Sequence, residues 1–129
     1  MKTKIQKEVK KYLDERGWNH LVPANMAKSI MIEGAELLEL FQWDNYTVEQ
    51  IQEKPELQEK IKKEIADVMI YCTELAVHLN LDIEDIILYK LKLASEKYKA
   101  AEVMKHKGEK TEDSFYLKKK QEYRAEKKN

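Results

Sequence analysis

From Leu57 to Leu79 an apolar residue returns at every third or fourth position, through Ile61, Ile65, Val68, Cys72 and Leu75. Only a helix of roughly six turns places all of these on one side. The same spacing recurs in Ile5, Val9, Tyr12 and Leu13, and again in Ile83, Ile86, Ile87, Leu91 and Ala94. Three glycines and two prolines in 129 residues leave little material for hairpin turns, while the abundant Glu, Lys, Leu, Ile and Ala favour helix. The sequence therefore predicts an all-α, four-helix bundle-like fold.

Local signals place the helix ends. The first apolar stripe stops at Gly17, a plausible terminator, and residues 18–24 read as a loop. Asn25 can cap a second helix running to about Trp43. Thr47-x-x-Gln50 has the form of a capping box, and Pro55 suits the first turn of the long third helix. Asp82 can cap a fourth helix that continues past Tyr98 towards Gly108. Beyond it, Phe115, Leu117 and Tyr123 form a weak stripe, predicting a docked or frayed extra helix. Residues 1–108 thus read as one domain and 109–129 as a basic C-terminal helix or tail.

Formal charge is zero overall, but residues 1–104 carry 15 basic and 19 acidic side chains, against 9 and 5 in residues 105–129. An acidic body argues against a nucleic-acid duplex as partner, because that footprint requires a basic face. No stretch approaches the roughly 18 apolar residues of a membrane span, and the first residues lack an apolar leader, so a cytoplasmic setting is expected. Cys72, the single cysteine, reads as a small core hydrophobe. Stripes this long in a short chain predict a core shared between subunits, hence a homo-oligomer.

Two acidic pairs interrupt this pattern, Glu33-x-x-Glu36 and Glu64-x-x-Asp67. Stepping about 100° per residue from Ile30, the residues Met26, Gly34, Leu37, Leu40 and Phe41 lie within roughly 80° of it. Glu33 falls inside that apolar arc and Glu36 at its border. Glu64, Asp67 and Tyr71 flank the stripe of the third helix. If the two faces pack together, the carboxylates converge in a partly dry cleft, where they repel one another unless a cation intervenes. Mg²⁺, a hard ion that takes oxygen ligands and is often completed by substrate phosphates, is the natural candidate. The 37% of charged residues supply other acidic pairs, such as Asp82/Asp85; what separates these two is their apolar surroundings.

The joint pattern Glu33-Gly-Ala-Glu36-Leu-Leu-Glu39-Leu-Phe-Gln-Trp43, then Glu64-Ile-Ala-Asp67-Val-Met-Ile-Tyr71, resembles the all-α nucleoside triphosphate pyrophosphohydrolases of the MazG-like and dCTP pyrophosphatase group. The resemblance covers roughly Trp18 to Tyr98. It implies that Glu33, Glu36, Glu64 and Asp67 ligate Mg²⁺, with Mn²⁺ as a possible substitute. It also implies cleavage of a (deoxy)nucleoside triphosphate to the monophosphate and pyrophosphate, as house-cleaning of dCTP-like or modified pyrimidine nucleotides. One carboxylate, Glu36 or Glu39, would orient the attacking water. The resemblance further implies substrate contacts at Asn25, Phe41, Trp43, Tyr71, Lys90, Lys97 and Tyr98, and assembly as a homodimer or homotetramer. The chain departs from the pattern in three places: Ala94 replaces an asparagine, Lys99 a frequent proline, and Leu21 a histidine, with His20 one residue away.

Two other enzyme classes are excluded by motif. Ferritin-like di-iron sites need Glu-x-x-His pairs, and this chain has none. Nor does it contain G-x-x-x-x-G-K-[ST]. The alternative of a different class is a non-catalytic nucleotide-binding or assembly module that keeps the acidic cleft.

Overall fold

The computed structural model describes residues 2–106 and 112–126, and these are all helical or loop, with no strand among them. The chain is all-α. It divides into two compact units, Met1–Glu84 and Asp85–Asn129. The expected boundary at 108/109 lies outside the described residues.

In the first unit, α1 (Lys4–Asp14) starts at Thr3, whose hydroxyl accepts from the Gln6 N–H at 3.2 Å. It turns away at Gly17, where φ is +65°, a conformation that costs glycine nothing. Helix α2 (Pro23–Glu39) begins two residues earlier than the expected Asn25 cap. Pro23 takes the first helical position, for which its fixed φ is suited, and Asn25 instead donates its backbone N–H to Val22 O at 2.9 Å. The helix also stops short of Trp43, unwinding through tight turns over Leu40, Phe41 and Gln42.

A short helix α3 (Val48–Gln52) carries the expected capping box between Thr47 and Gln50. Helix α4 (Pro55–His78) starts at the expected proline. It ends in a Schellman-type closure, with Leu81 N–H donating to Ala76 O and Asn80 N–H to Val77 O, and with Asn80 left-handed at φ 54°. Helix α2 packs along α4, and α1 also lies against it.

The buried core is small: Val9, Leu13, Met26 and Ala76. Gln6, fully buried, ties α1 to the segment after α4, donating to Leu81 O and accepting from the Ile83 N–H. Gln6→Leu keeps the volume but strands both backbone groups. It should cost about 1–3 kcal/mol in a denaturant titration, and an unchanged midpoint would show that water satisfies them.

The apolar stripe of α4 is less buried than its periodicity predicts. Ile65 and Leu79 are exposed, Cys72 is half-buried, and the most buried residues of this helix are Thr73, Glu74 and Ala76. Met31, Ile32, Leu38 and Met69 also face outward. There is more apolar face than this unit covers by itself.

In the second unit, α5 (Ile83–Lys97, whose first two residues belong to the first unit) follows an Asp82 cap that accepts from the Glu84 N–H at 3.0 Å. The long fourth helix expected from the sequence is broken. Lys99 is non-helical, and α6 (Ala100–Lys105) begins after it. No breaker residue stands there; the break coincides with Tyr98 stacking on Tyr116, ring centroids 5.2 Å apart. Helix α7 (Glu112–Ala125) is the expected terminal helix. It is docked by that stack, by Phe115 on His106 at 4.1 Å, and by the Tyr123 hydroxyl donating to Glu96 O. Leu117, expected on its stripe, is exposed.

Candidate active site

Packing α2 against α4 brings the two acidic pairs together. Carboxylate oxygens of Glu33, Glu64 and Asp67 all lie within 4.8 Å of one another. Burial raises the Glu33 carboxyl above its ordinary range, and Glu36, Asp67 and Glu64 raise it further. Glu64 is likewise pushed up by burial first, then by Glu36, Asp67 and, most weakly, Glu39. Glu36 itself is exposed, yet faces both. Glu39 is also exposed.

These residues fit a divalent cation. The Oε2 atom of Glu64 is shut off from solvent without a hydrogen-bond donor among the described residues, and the charged neighbours that act most on Glu33 and Glu64 among those residues are acidic. An all-oxygen donor set with excess negative charge is the environment a hard ion satisfies.

Beside this cluster, a cleft of about 620 Å³ opens between α1, the loop after it and α4. Its walls are Val9, Tyr12, Trp18, Leu21, Ile70 and Tyr71, with Glu8, Asp67 and Glu74 as polar groups. Tyr12 and Trp18 meet edge to face at 5.8 Å. Asp67 belongs both to the carboxylate group and to the wall of this cleft. The Tyr71 phenol, raised by burial and then by Glu33, Glu74 and Asp67, lies at the junction.

The other residues named from sequence are scattered. Asn25 is exposed in the first turn of α2, Phe41 is half-buried at its end, and the Trp43 ring is 85% exposed. In the second unit, Lys90, Lys97 and Tyr98 do share one cavity, of about 710 Å³, with Tyr89, Tyr116, Lys120 and Tyr123. Ala94, which replaces the asparagine, lines it too.

Sequence reasoning missed Tyr12, Trp18, Leu21 and Glu74 as site residues. A signal existed for Trp18: a large aromatic in a loop directly after a terminating glycine has no helical face to explain it. Leu21 contributes apolar wall to the same cleft. His20 is an exposed turn residue.

Among the described residues no helix is long and apolar enough to cross a membrane. Of the solved structures, that of a pyrophosphatase from Archaeoglobus fulgidus has a TM-score of 0.61 to this chain. The two are 32% identical, and the likeness covers 72% of this chain and 87% of that one. A mouse (Mus musculus) protein named dCTP pyrophosphatase 1 is 30% identical over 86 residues, 65% of this chain and 51% of the mouse protein. The chain therefore spans about half the length of the curated relative it matches. A family model described as the MazG-like family matches residues 28–113, which include both acidic pairs. With more than half of its residues inside that match and an all-helical fold shared with the archaeal pyrophosphatase, this chain belongs to the MazG-like family.

Proposed function

We propose that this chain hydrolyses a nucleoside triphosphate to the monophosphate and pyrophosphate, with Mg²⁺ or Mn²⁺ at the carboxylate cluster. The observation that carries this reading is the double role of Asp67, at once a member of the cluster and part of the wall of an aromatic cleft large enough to admit a base. A polyphosphate at the cluster and a ring in the cleft are then adjacent parts of one ligand. The activities named for the mouse and archaeal relatives agree with it.

In this reading Glu33, Glu64 and Asp67 hold the cation, with Glu36 as the further ligand or as the group that orients water. Bound there, the cation supplies neutralisation of the triphosphate charge and activation of the attacking water. Water adds to a phosphorus flanking the α–β bridging oxygen, the bond from that phosphorus to the bridging oxygen breaks so that monophosphate and pyrophosphate separate, and a nearby carboxylate takes the proton that the water gives up. Of the two carboxylates considered for this task, Glu36 acts on both Glu33 and Glu64, and more strongly on Glu64 than Glu39 does. Tyr12, Trp18 and Tyr71 receive the base; stacking is worth about 1–3 kcal/mol and tolerates any ring. A dCTP-like or modified pyrimidine nucleotide is the proposed substrate. A cytoplasmic setting belongs to the same proposal.

Product analysis by ³¹P NMR tests the reaction. Monophosphate plus pyrophosphate is expected; diphosphate plus phosphate, or nucleotide binding without turnover, would replace it with a different hydrolase or with a non-catalytic nucleotide-binding module.

We further propose that a homodimer or homotetramer completes the core, because Met31, Ile32, Leu38 and Met69 expose apolar surface that a monomer seldom leaves uncovered. Light scattering at micromolar protein should give at least twice the 15.4 kDa chain mass; a single-chain mass would refute it.

A further inference from the structure

Two carboxyls on the aromatic cleft have no part in the reaction proposed above: Glu8, exposed on α1, and Glu74 on α4. Glu74 retains only 5% of its surface. Its backbone carbonyl accepts from His78 Nδ1 at 2.9 Å; no donor among the described residues pairs with its side chain, whose oxygens, unlike Glu64 Oε2, are not sealed from solvent and whose residue lines the cleft. His78 provides none, since its Nδ1 is engaged by the Glu74 backbone carbonyl and its Nε2 is buried without a partner. With so little surface its donor is the water of the cleft, and an occupant that displaces that water without replacing the donor leaves a costly bare carboxyl. The cost is relieved if whatever enters the cleft brings a donor with it.

Position indicates what that donor is. Asp67, Tyr71 and Glu74 follow one another along a single face of α4, four and then three residues apart. Seven residues advance a helix by about 10 Å, a distance that a sugar and base fill. A nucleotide with its phosphates at the Asp67 end therefore presents the far edge of its base to Glu74. We propose that Glu74 makes this cleft select bases carrying an exocyclic amino group over the matching keto bases. The inference rests on the assignment of the cleft as the base site.

The chemistry is asymmetric. Ionised or protonated, a carboxyl keeps at least one acceptor oxygen, so an amino group finds a partner in both states. A keto oxygen finds a donor only in the protonated state and otherwise meets a second acceptor. Burial favours the protonated form of Glu74 while His78 opposes it; the amino preference holds in either case, and its size varies.

The test is calorimetric binding, with Mg²⁺, of non-hydrolysable α,β-imido analogues in matched pairs, dCTP against dUTP and dATP against dITP. Wild type, Glu74→Gln, Glu74→Ala and Trp18→Ala are compared. Wild type should favour the amino member of each pair by about ten- to a hundredfold, the scale of a hydrogen bond to a charged group. Glu74→Gln, whose amide can rotate to offer either a donor or an acceptor, should bring each ratio to within about threefold, and Glu74→Ala should weaken the amino member alone. A wild-type ratio near one, or a ratio that survives in both Glu74 variants, overturns the inference. If Trp18→Ala binds every analogue as wild type does, the base-site assignment has failed and the inference fails with it. Weakening by Trp18→Ala with ratios indifferent to Glu74 overturns the inference alone.

Discussion

Glu64→Gln is expected to remove pyrophosphate release and at the same time to stabilise the metal-free protein. The loss should exceed about a hundredfold, because even outer partners of metal ligands are worth about ten- to a hundredfold. The gain has a separate origin. Glu64 holds a buried oxygen without a donor and sits among Glu33, Glu36 and Asp67, so without a cation its charge is a liability that glutamine removes.

The pH dependence has a definite sign. A carboxyl whose folded-state pKa is raised binds its proton more tightly folded than unfolded, and stability falls as pH rises through the interval between the two values. The melting temperature of the metal-free wild type should therefore drop as pH climbs above the usual carboxylate range, through the raised values of Glu33 and Glu64. Divalent cation should flatten that slope by binding the ionised cluster, and Glu64→Gln should flatten it without cation. A melting temperature that rises over this interval, or a variant less stable than wild type, would show that these carboxyls are solvated surface groups.

Trp18→Ala is the second large effect. Losing one stacking ring costs about 1–3 kcal/mol, so KM for the nucleotide should rise about five- to a hundredfold or more, with kcat changing less, since Trp18 stands away from the reacting phosphates. Trp43→Ala provides the contrast. Its ring is 85% exposed and lines no described cavity within this chain, so within a single chain it has nothing to stack a base against. An unchanged KM in Trp18→Ala would remove the base from the α1–α4 cleft. A large rise in Trp43→Ala would place Trp43 in a site completed by another copy of the chain, which the proposed oligomer would allow.

The acidic centre was legible because its components are local. A carboxylate three residues from another on a helix is visible in the chain, and Glu33 stood out against Met26, Leu37 and Phe41. The convergence followed from a simple expectation, that the two apolar faces bordered by the acidic pairs pack together. Helix ends were legible where side chains act on their own backbone, as at Thr47 and Gln50, and less so where two signals compete, as at Pro23 and Asn25.

The cleft was not legible, because it forms between residues far apart in sequence. Tyr12 and Trp18 meet Tyr71 and Glu74 only once α1 lies on α4. Glu74 carried no mark of burial; a glutamate off the apolar stripe of a helix reads as solvent-facing, and only α1 decides otherwise. Ile65 and Leu79 erred in the opposite direction. Periodicity identified their face, but this chain offers too little partner surface to cover it.

The most direct test of the central claim is the initial rate of pyrophosphate release, titrated with Mg²⁺ from chelated to millimolar metal, for wild type and Asp67→Asn over a panel of nucleoside triphosphates. A rate that is absent in chelator, saturates with Mg²⁺ for a subset of nucleotides and vanishes in Asp67→Asn is the predicted result. Release that persists in chelator, or that is indifferent to Asp67, would contradict a catalytic metal centre at these carboxylates.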